Sequence, residues 1–479
     1  MKEAVFLQEV KEIQLLKNAL TLLDWDSSTG MPEKSSPFRG EVEGYLTGLY
    51  FERSIGPVIQ EALAYFETRP EELSELGKLV FEKVKEEYAL NKNVPAERMQ
   101  EYVKVLNQAH TDWLKARAAQ DFGLLEETLT KVVAFQKEFI PYWQKEEKTP
   151  YDVLLNQFEP GMTVEKLDQV FDQVKQGIQE IRTVLAEKGT PPRTDFLSRK
   201  MTKEQQRRFV IGVVEQLGYD FSKGRLDDTV HPFMTALNRN DARITTRWEE
   251  NNFSMATFGV IHEAGHGMYE QNFDPKFDFT PLSEGASMGI HESQSLFNEI
   301  IIGSNRAFWQ KQYPFFQECA EGTFDDIAFE DFYASLKETK ASLIRIDSDS
   351  LTYPLHIIIR YEIEKMLFNG SLEVADLPKV WNEKYQEYLG VSPENDLEGV
   401  LQDVHWSGGS FGYFPSYALG YMYAAQLFHA MKQELSVDEI LASEDYSDIR
   451  KWLTQHIHQY GASRKPNQLI YDATGDRKS

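Results

Sequence analysis

The sequence predicts a mainly helical protein with one small β element. Apolar residues recur three and four positions apart through most of the 479 residues, which is the spacing of one face of an α-helix. Clusters of Gly and Pro are few and short, so no long linker divides the chain. One stretch of β-branched residues, 241–248, departs from this pattern. We therefore expect an all-α fold and a single domain, residues 1–479.

The first helices follow from periodicity and stop signals. Residues 1–26 place Leu and Val at helical spacing among charges, which indicates an amphipathic helix and not a signal peptide. The same spacing predicts helices over 76–92 and 164–189. The second of these ends at Gly189, which two prolines follow at 191 and 192.

The β element is the segment DARITTRW, residues 241–248. Its β-branched residues lie between two polar turns, which predicts a short strand. Because strand side chains alternate, Asp241, Arg243 and Thr245 would share one face. The alternative is a partly exposed hairpin whose charges are simply solvated.

Composition limits the partners and the compartment. Lys and Arg number 51 and Asp and Glu 76, which gives a net charge of −25. Nucleic acids and anionic membranes both require a basic surface, so neither is expected as a partner. The one cysteine, Cys319, allows no intrachain disulfide, and no apolar run is long enough to cross a bilayer. These observations predict a cytoplasmic protein.

The segment VIHEAGHGMYE, residues 260–270, contains the strongest chemical signal. Its surroundings predict a helix over 255–271, and residues four apart lie on one helical face. His262 and His266 could therefore bind one ion, and Glu263 could reach a water beside it. This is the arrangement of zinc peptidases, in which the glutamate is the general base. The alternative is a buried helix whose histidines are only hydrogen-bonded.

A third protein ligand is expected, because catalytic zinc sites have three protein ligands and one open position. A second helix is predicted over 287–301, after a loop that reverses the chain. It carries Glu292, our first choice, 26 residues after His266. Glu284 in the loop and Glu299 two turns further on are the alternatives.

Two neighbouring side chains are not expected in the ligand set. Glu270 lies one turn beyond His266 on the same helix, too far along it to converge on the ion. His291 precedes Glu292 and should point in another direction.

Six short motifs, taken together, resemble one known family. In chain order they are HPF (231–233), DARIT (241–245), HEAGH (262–266), HESQ (291–294), IRIDSD (344–349) and GVLQDVHW (399–406). Together with LLDWDSSTGMP near the start, they resemble the thermostable (Taq-type) carboxypeptidase family of metallocarboxypeptidases over nearly the whole chain. One departure is Ser348, which replaces the alanine usual in that family.

The resemblance implies a fold and an activity. The fold is almost entirely helical, with a deep central groove flanked by two lobes, and members are typically homodimers. They release single residues from the C-termini of peptides, with broad tolerance of the side chain. The resemblance also implies one divalent ion per chain, zinc with cobalt as the alternative, and it implies that the glutamate of HESQ, Glu292, is a metal ligand.

Further site residues are expected around this centre. Glu263 would act as the general base, and the oxyanion would need donors besides the metal. His405, Tyr413 and Tyr417 surround a Gly-rich turn, and we prefer Tyr413 because it follows that turn directly. Either tyrosine could instead serve only in packing.

A carboxypeptidase must also bind the terminal carboxylate, which arginine does with a bidentate fork. Arg345 is our first choice and Arg243 the second, although each could instead form a structural ion pair, with Asp349 and Asp241 respectively. The expected substrate-binding residues are Arg345, Arg243, Asp241, His231 and Tyr417.

Other functions share parts of these patterns. A metallo-endopeptidase or oligopeptidase would have the same helix, with a groove open at both ends. A dipeptidyl exopeptidase would bind the terminus one residue further away. A non-catalytic peptide-binding protein with a structural metal would not need Glu263. The masses of the products of a peptide digest distinguish these functions.

Overall fold

The computed structural model describes residues 1–475 and is mainly helical, as the sequence predicts. Over these residues the helices, in chain order, are α1 (Glu3–Thr29), α2 (Ser36–Ser54), α3 (Pro57–Phe66), α4 (Glu75–Lys92), α5 (Ala96–Ala119), α6 (Gly123–Trp143), α7 (Pro150–Phe158), α8 (Val164–Lys188), α9 (Lys203–Leu217), α10 (Phe253–Gln271), α11 (Met288–Leu296), α12 (Arg306–Cys319), α13 (Phe329–Ser335), α14 (Tyr353–Phe368), α15 (Leu377–Tyr388), α16 (Pro415–Glu434), α17 (Val437–Leu441), α18 (Ser447–His456) and α19 (Pro466–Thr474). The strands are β1 (Leu226–Asp228), β2 (Met234–Asn238) and β3 (Asp241–Thr246).

The chain forms two compact units, and each is built from separate stretches of sequence. The first contains residues 1–91, 193–336 and the chain from 420 onward. The second contains residues 92–192 and 337–419.

The first unit contains the sheet, whose strand order is β1-β3-β2. β3 runs parallel to β1, with Leu226 opposite Ile244, and antiparallel to β2, with Met234 also opposite Ile244. The strand predicted within 241–248 is therefore confirmed over Asp241–Thr246. Ala242 and Ile244 are fully buried and form the inner face of β3, which packs against α10.

Helix α10 is the central helix of the first unit and packs against α9, α11 and β3. Its glycines allow this close approach. A Cβ on Gly265 would lie 2.5 Å from the carbonyl oxygen of Gln294 and 2.6 Å from the Cα of Ser295, so only glycine lets α11 pack this closely. A side chain on Gly267 would meet the ring of Tyr219 at 2.7 Å.

The second unit is helical throughout its described regular structure. α7 begins with a complete capping box between Thr149 and Asp152, and α8 begins with Thr163 as its N-cap. The predicted stop is confirmed, since α8 ends at Lys188 with Gly189 as its C-cap. α14 is the most buried helix of this unit, and a non-helical segment, residues 389–414, follows α15 and precedes α16.

None of the helices in the described part of the chain combines the length and the apolar character that crossing a membrane would require.

Candidate active site

The three side chains predicted as metal ligands lie together in the first unit. His262 and His266 project from α10, and Glu292 projects from α11. One ligand atom from each lies within 4.8 Å of those of the other two. The Nε2 atom of His262 is 3.8 Å from Oε1 of Glu292, and Nε2 of His266 is 3.5 Å from its Oε2. Both Nε2 atoms thus face the same carboxylate.

The other nitrogen of each imidazole has its own partner. His262 Nδ1 donates to Oε2 of Glu299 at 2.7 Å. His266 Nδ1 lies 2.6 Å from Nδ1 of His291, whose Nε2 in turn lies 2.9 Å from Oε1 of Glu270. If His266 donates to His291, and His291 donates to Glu270, each of these two hydrogen bonds contains one proton. The Nε2 atom of His266 then carries no proton, and its lone pair is available to a metal ion. Outer partners of this kind orient metal-binding histidines.

Each of the four other side chains that the sequence analysis considered near the ligands has a partner of its own. Glu270 and His291 lie outside the group of three, as expected. The His291 ring lies on the outer side of His266, with the two ring centroids 4.6 Å apart. Glu299, an alternative ligand, instead contacts the outer side of His262. Glu284, the other alternative, forms an ion pair with Lys17.

Burial and neighbouring charges shift the pKa values of two glutamates in this cluster. Burial raises the pKa of Glu263 to about 7, and the carboxylates of Glu292 and Glu299 add to the effect. Burial opposes ionisation of Glu292 too, but His262 and His266 outweigh it and lower its pKa. A carboxylate with a pKa near neutrality beside an ionised one is the pattern of a general base next to a ligand.

The donor set fits a divalent ion. Two imidazole nitrogens and one carboxylate oxygen are the ligands that catalytic zinc sites use, with a fourth position left for water or substrate. Cobalt accepts the same ligands, so ligand type does not separate the two metals.

The β3 residues form an ion pair of their own. Arg243 donates from Nε and Nη2 to the two carboxylate oxygens of Asp241, at 2.7 and 2.8 Å, and its guanidinium lies 4.4 Å from the ring centre of Trp25. The two side chains share one strand face, as predicted. His231 is exposed in the loop before β2.

In the second unit, Arg345 is held by a different aspartate from the one proposed on sequence grounds. It lies in a short 3₁₀ turn, Arg345–Asp347, and not on a helix with Asp349. Its Nε and Nη2 donate to Oδ1 of Asp403 at 3.0 and 2.8 Å, and its Nη1 donates to Tyr353 Oη at 2.9 Å. Asp349 instead accepts from the backbone and hydroxyl of Thr352 at the start of α14. The suggested pair with Asp349 is therefore wrong.

His405, Tyr413 and Tyr417 form a cluster beside Arg345. Tyr417 Oη lies 3.2 Å from His405 Nε2, and the Arg345 guanidinium is 5.1 Å from the Tyr417 ring centre. The rings of Tyr413 and Tyr417 are 5.3 Å apart. Burial lowers the pKa of His405 to about 4, with Arg345 and Arg360 adding to the effect. His405 is thus a neutral imidazole at pH 7.

Comparisons with known proteins point to one family. Residues 5–479 match the family model "Carboxypeptidase Taq (M32) metallopeptidase". "Carboxypeptidase 1" of Bacillus subtilis is 46% identical over 99% of this chain and 95% of its own length. "Thermostable carboxypeptidase 1" of Thermus thermophilus is 35% identical over 98% of this chain and 94% of its own. The crystal structure of an M32 carboxypeptidase from Deinococcus radiodurans R1 has a TM-score of 0.95 at 33% identity, covering 99% of this chain and 95% of that one.

The endopeptidase alternative is not favoured, since the matched family and these relatives are carboxypeptidases and the match extends over nearly the whole length of the chains. The chain is therefore a peptide hydrolase that belongs to the carboxypeptidase Taq (M32) family of metallocarboxypeptidases.

Proposed function

We propose that this carboxypeptidase uses one zinc ion per chain, held by His262, His266 and Glu292. The observation that carries this proposal is the convergence of three ligand atoms within 4.8 Å, with both Nε2 atoms facing Glu292. When bound, a divalent ion supplies Lewis acidity that activates water and polarises the scissile carbonyl.

Glu263 is the proposed proton acceptor and, later in the reaction, the proton donor. It lies between the two histidines in sequence, is buried, and has a pKa raised to about 7 by that burial. This buried carboxylate takes a proton from the attacking water and passes it to the leaving amine.

We infer that other side chains of the protein bind the oxyanion and the substrate terminus. Neutral His405 and the hydroxyls of Tyr413 and Tyr417 are the donors proposed for the oxyanion. Asp403 and Tyr353 occupy three of the five N–H groups of Arg345, which leaves two for a carboxylate. Asp241 occupies one side of the Arg243 fork in the same way.

Several broader features remain part of the proposal. The resemblance of the six motifs supports one catalytic domain with two lobes flanking a groove, and it supports a homodimer. We assign a substrate-binding role to His231 on the same basis. The single cysteine and the charge of −25 support a cytoplasmic enzyme that binds peptides and not nucleic acids.

Metal content of ligand variants tests the proposed centre. Glu292→Ala should lose most bound zinc and activity, because three protein ligands are the minimum for such a site. Glu284→Ala is the matched control, because Glu284 pairs with Lys17 and should keep both zinc and activity. Full zinc occupancy in Glu292→Ala would remove Glu292 from the ligand set and favour Glu299.

A further inference from the structure

A buried glutamate outside every motif holds the segment that carries His405 and Tyr413. Glu364 lies on α14 and is fully buried. Its Oε1 accepts from Trp406 Nε1 at 2.7 Å, and its Oε2 accepts from the backbone N–H of Gly412 at 2.9 Å. Trp406 follows His405 and Gly412 precedes Tyr413, so one carboxylate fixes both ends of the turn between them.

The rest of this turn is also held closely. Gly412 has φ +88°, and a Cβ there would lie 2.6 Å from the backbone of Leu154, so glycine is required. The carbonyl of Gly409 accepts from Gln136 Nε2 at 2.9 Å. With the middle and both ends of the turn fixed, small movements of Glu364 would be passed to His405 and Tyr413.

We propose that Glu364 is a positioning residue for catalysis, which acts by fixing the placement of His405 and Tyr413. This inference rests on the function proposed above for those two side chains. An isolated buried carboxylate is costly, and burial raises the pKa of Glu364 to about 7. Three donors, including Tyr151 Oη at 2.6 Å, and the nearby charge of Arg360 oppose that effect.

Glu364→Gln tests the proposal with little change in size. Its amide can accept from two of the three donors, but its NH₂ group must face the third. We expect kcat to fall by about 10-fold or more, because a small misplacement of catalytic groups is costly, while KM stays within about twofold. Glu362→Gln is the matched control. It lies on the same helix, contacts Tyr388 and two lysines, and should keep wild-type kcat.

A double-mutant cycle separates positioning from a merely structural role. In a background that carries both His405→Gln and Tyr413→Phe, Glu364→Gln should lower kcat by no more than about twofold, because both groups that it positions are already lost. Trp406→Phe removes one of the same hydrogen bonds from the other side and replaces Glu364→Gln in the cycle if that variant does not fold. Zinc content, which should not change, is measured on each variant.

The outcomes are distinct. If Tyr413→Phe and His405→Gln are impaired but Glu364→Gln keeps wild-type kcat, or if the effects multiply independently, the positioning role is refuted and the roles of the turn stand. If Tyr413→Phe and His405→Gln both keep wild-type kcat, the proposed roles of those residues fail, and the positioning role fails with them.

Discussion

At the scale of single residues, this site depends on which atom of each side chain is already engaged. The two histidines present Nε2 to Glu292 because Glu299 and His291 engage their Nδ1 atoms. Glu263 lies between them in sequence, is not one of the three converging side chains, and has a pKa near neutrality. The proposed site therefore separates into ligands, partners that orient the ligands, and a base.

The separation of base from ligand predicts the behaviour of Glu263→Gln. The amide keeps the size of the side chain and can still hydrogen-bond water, but it cannot accept a proton. We expect zinc to stay bound while kcat falls by about 10² or more. Zinc per chain and kcat are measured on the same preparation. Loss of zinc would make Glu263 part of the ligand set, and near-normal kcat would mean that another group is the base.

The sequence predicted the three side chains that converge but not their surroundings. A helical period and a count of residues between helices were enough for His262, His266 and Glu292. The role of His291 could not be predicted, because it depends on ring orientation across two packed helices. The partner of Arg345 was also missed, since Asp403 lies 58 residues away along the chain.

At the scale of secondary structure elements, the distance between α10 and α11 sets the spacing between the two histidines and Glu292. Gly265 lies where α11 comes closest, with the backbone of Gln294 and Ser295 against it. Gly259, on the same helix, has room for a methyl group, since an added Cβ would lie 3.9 Å from its nearest neighbour, Thr246 Oγ1, which is an ordinary van der Waals contact. The two glycines thus differ in what a methyl group would displace.

This difference predicts opposite effects for two alanine substitutions. Gly265→Ala should destabilise the protein by about 1–3 kcal/mol, because the added methyl group must push α11 away. Displacement of Glu292 should also weaken zinc binding by about 10-fold or more. Gly259→Ala should be neutral or stabilise by up to about 1 kcal/mol, because alanine is the better helix former. Thermal unfolding and zinc competition assays measure both, and equal zinc affinity in the two variants would contradict the argument.

Most elements could be predicted from periodicity, and the exceptions have local causes. The helix expected over 287–301 continues past Leu296 as a π-helical stretch, Phe297–Ile302, which carries Glu299. Apolar spacing does not distinguish that wider turn from an α-helix. Arg345 lies in a 3₁₀ turn of three residues, too short to leave a periodic signal.

At the scale of the whole molecule, the function requires recognition of a free C-terminus by an acidic protein. A net charge of −25 gives no general attraction for an anionic terminus, so local cations must bind it. Arg243 and Arg345 are the candidates, and each is already held by an aspartate that fixes its orientation. The sequence identified both, but it could not show which N–H groups stay free.

Peptides that differ only in C-terminal amidation test this recognition. Amidation should lower wild-type kcat/KM by about 10-fold or more, since a charge-assisted pair contributes about 1.5–3 kcal/mol. Arg345→Ala, or Arg243→Ala if that residue is the anchor, should remove most of the difference. Arg193→Ala is the control, because Arg193 pairs with Asp195 two residues away, as Arg243 does with Asp241. Equal cleavage of both peptides by the wild type would refute recognition of the free carboxylate.

The most direct test of the proposed centre is zinc titration of the metal-free protein. Zinc bound per chain and release of single C-terminal residues are measured at each addition. One site formed by His262, His266 and Glu292 predicts that activity rises in proportion to zinc and reaches its plateau at about one ion per chain. Full activity without metal, or a plateau that requires two ions per chain, would contradict the proposed centre.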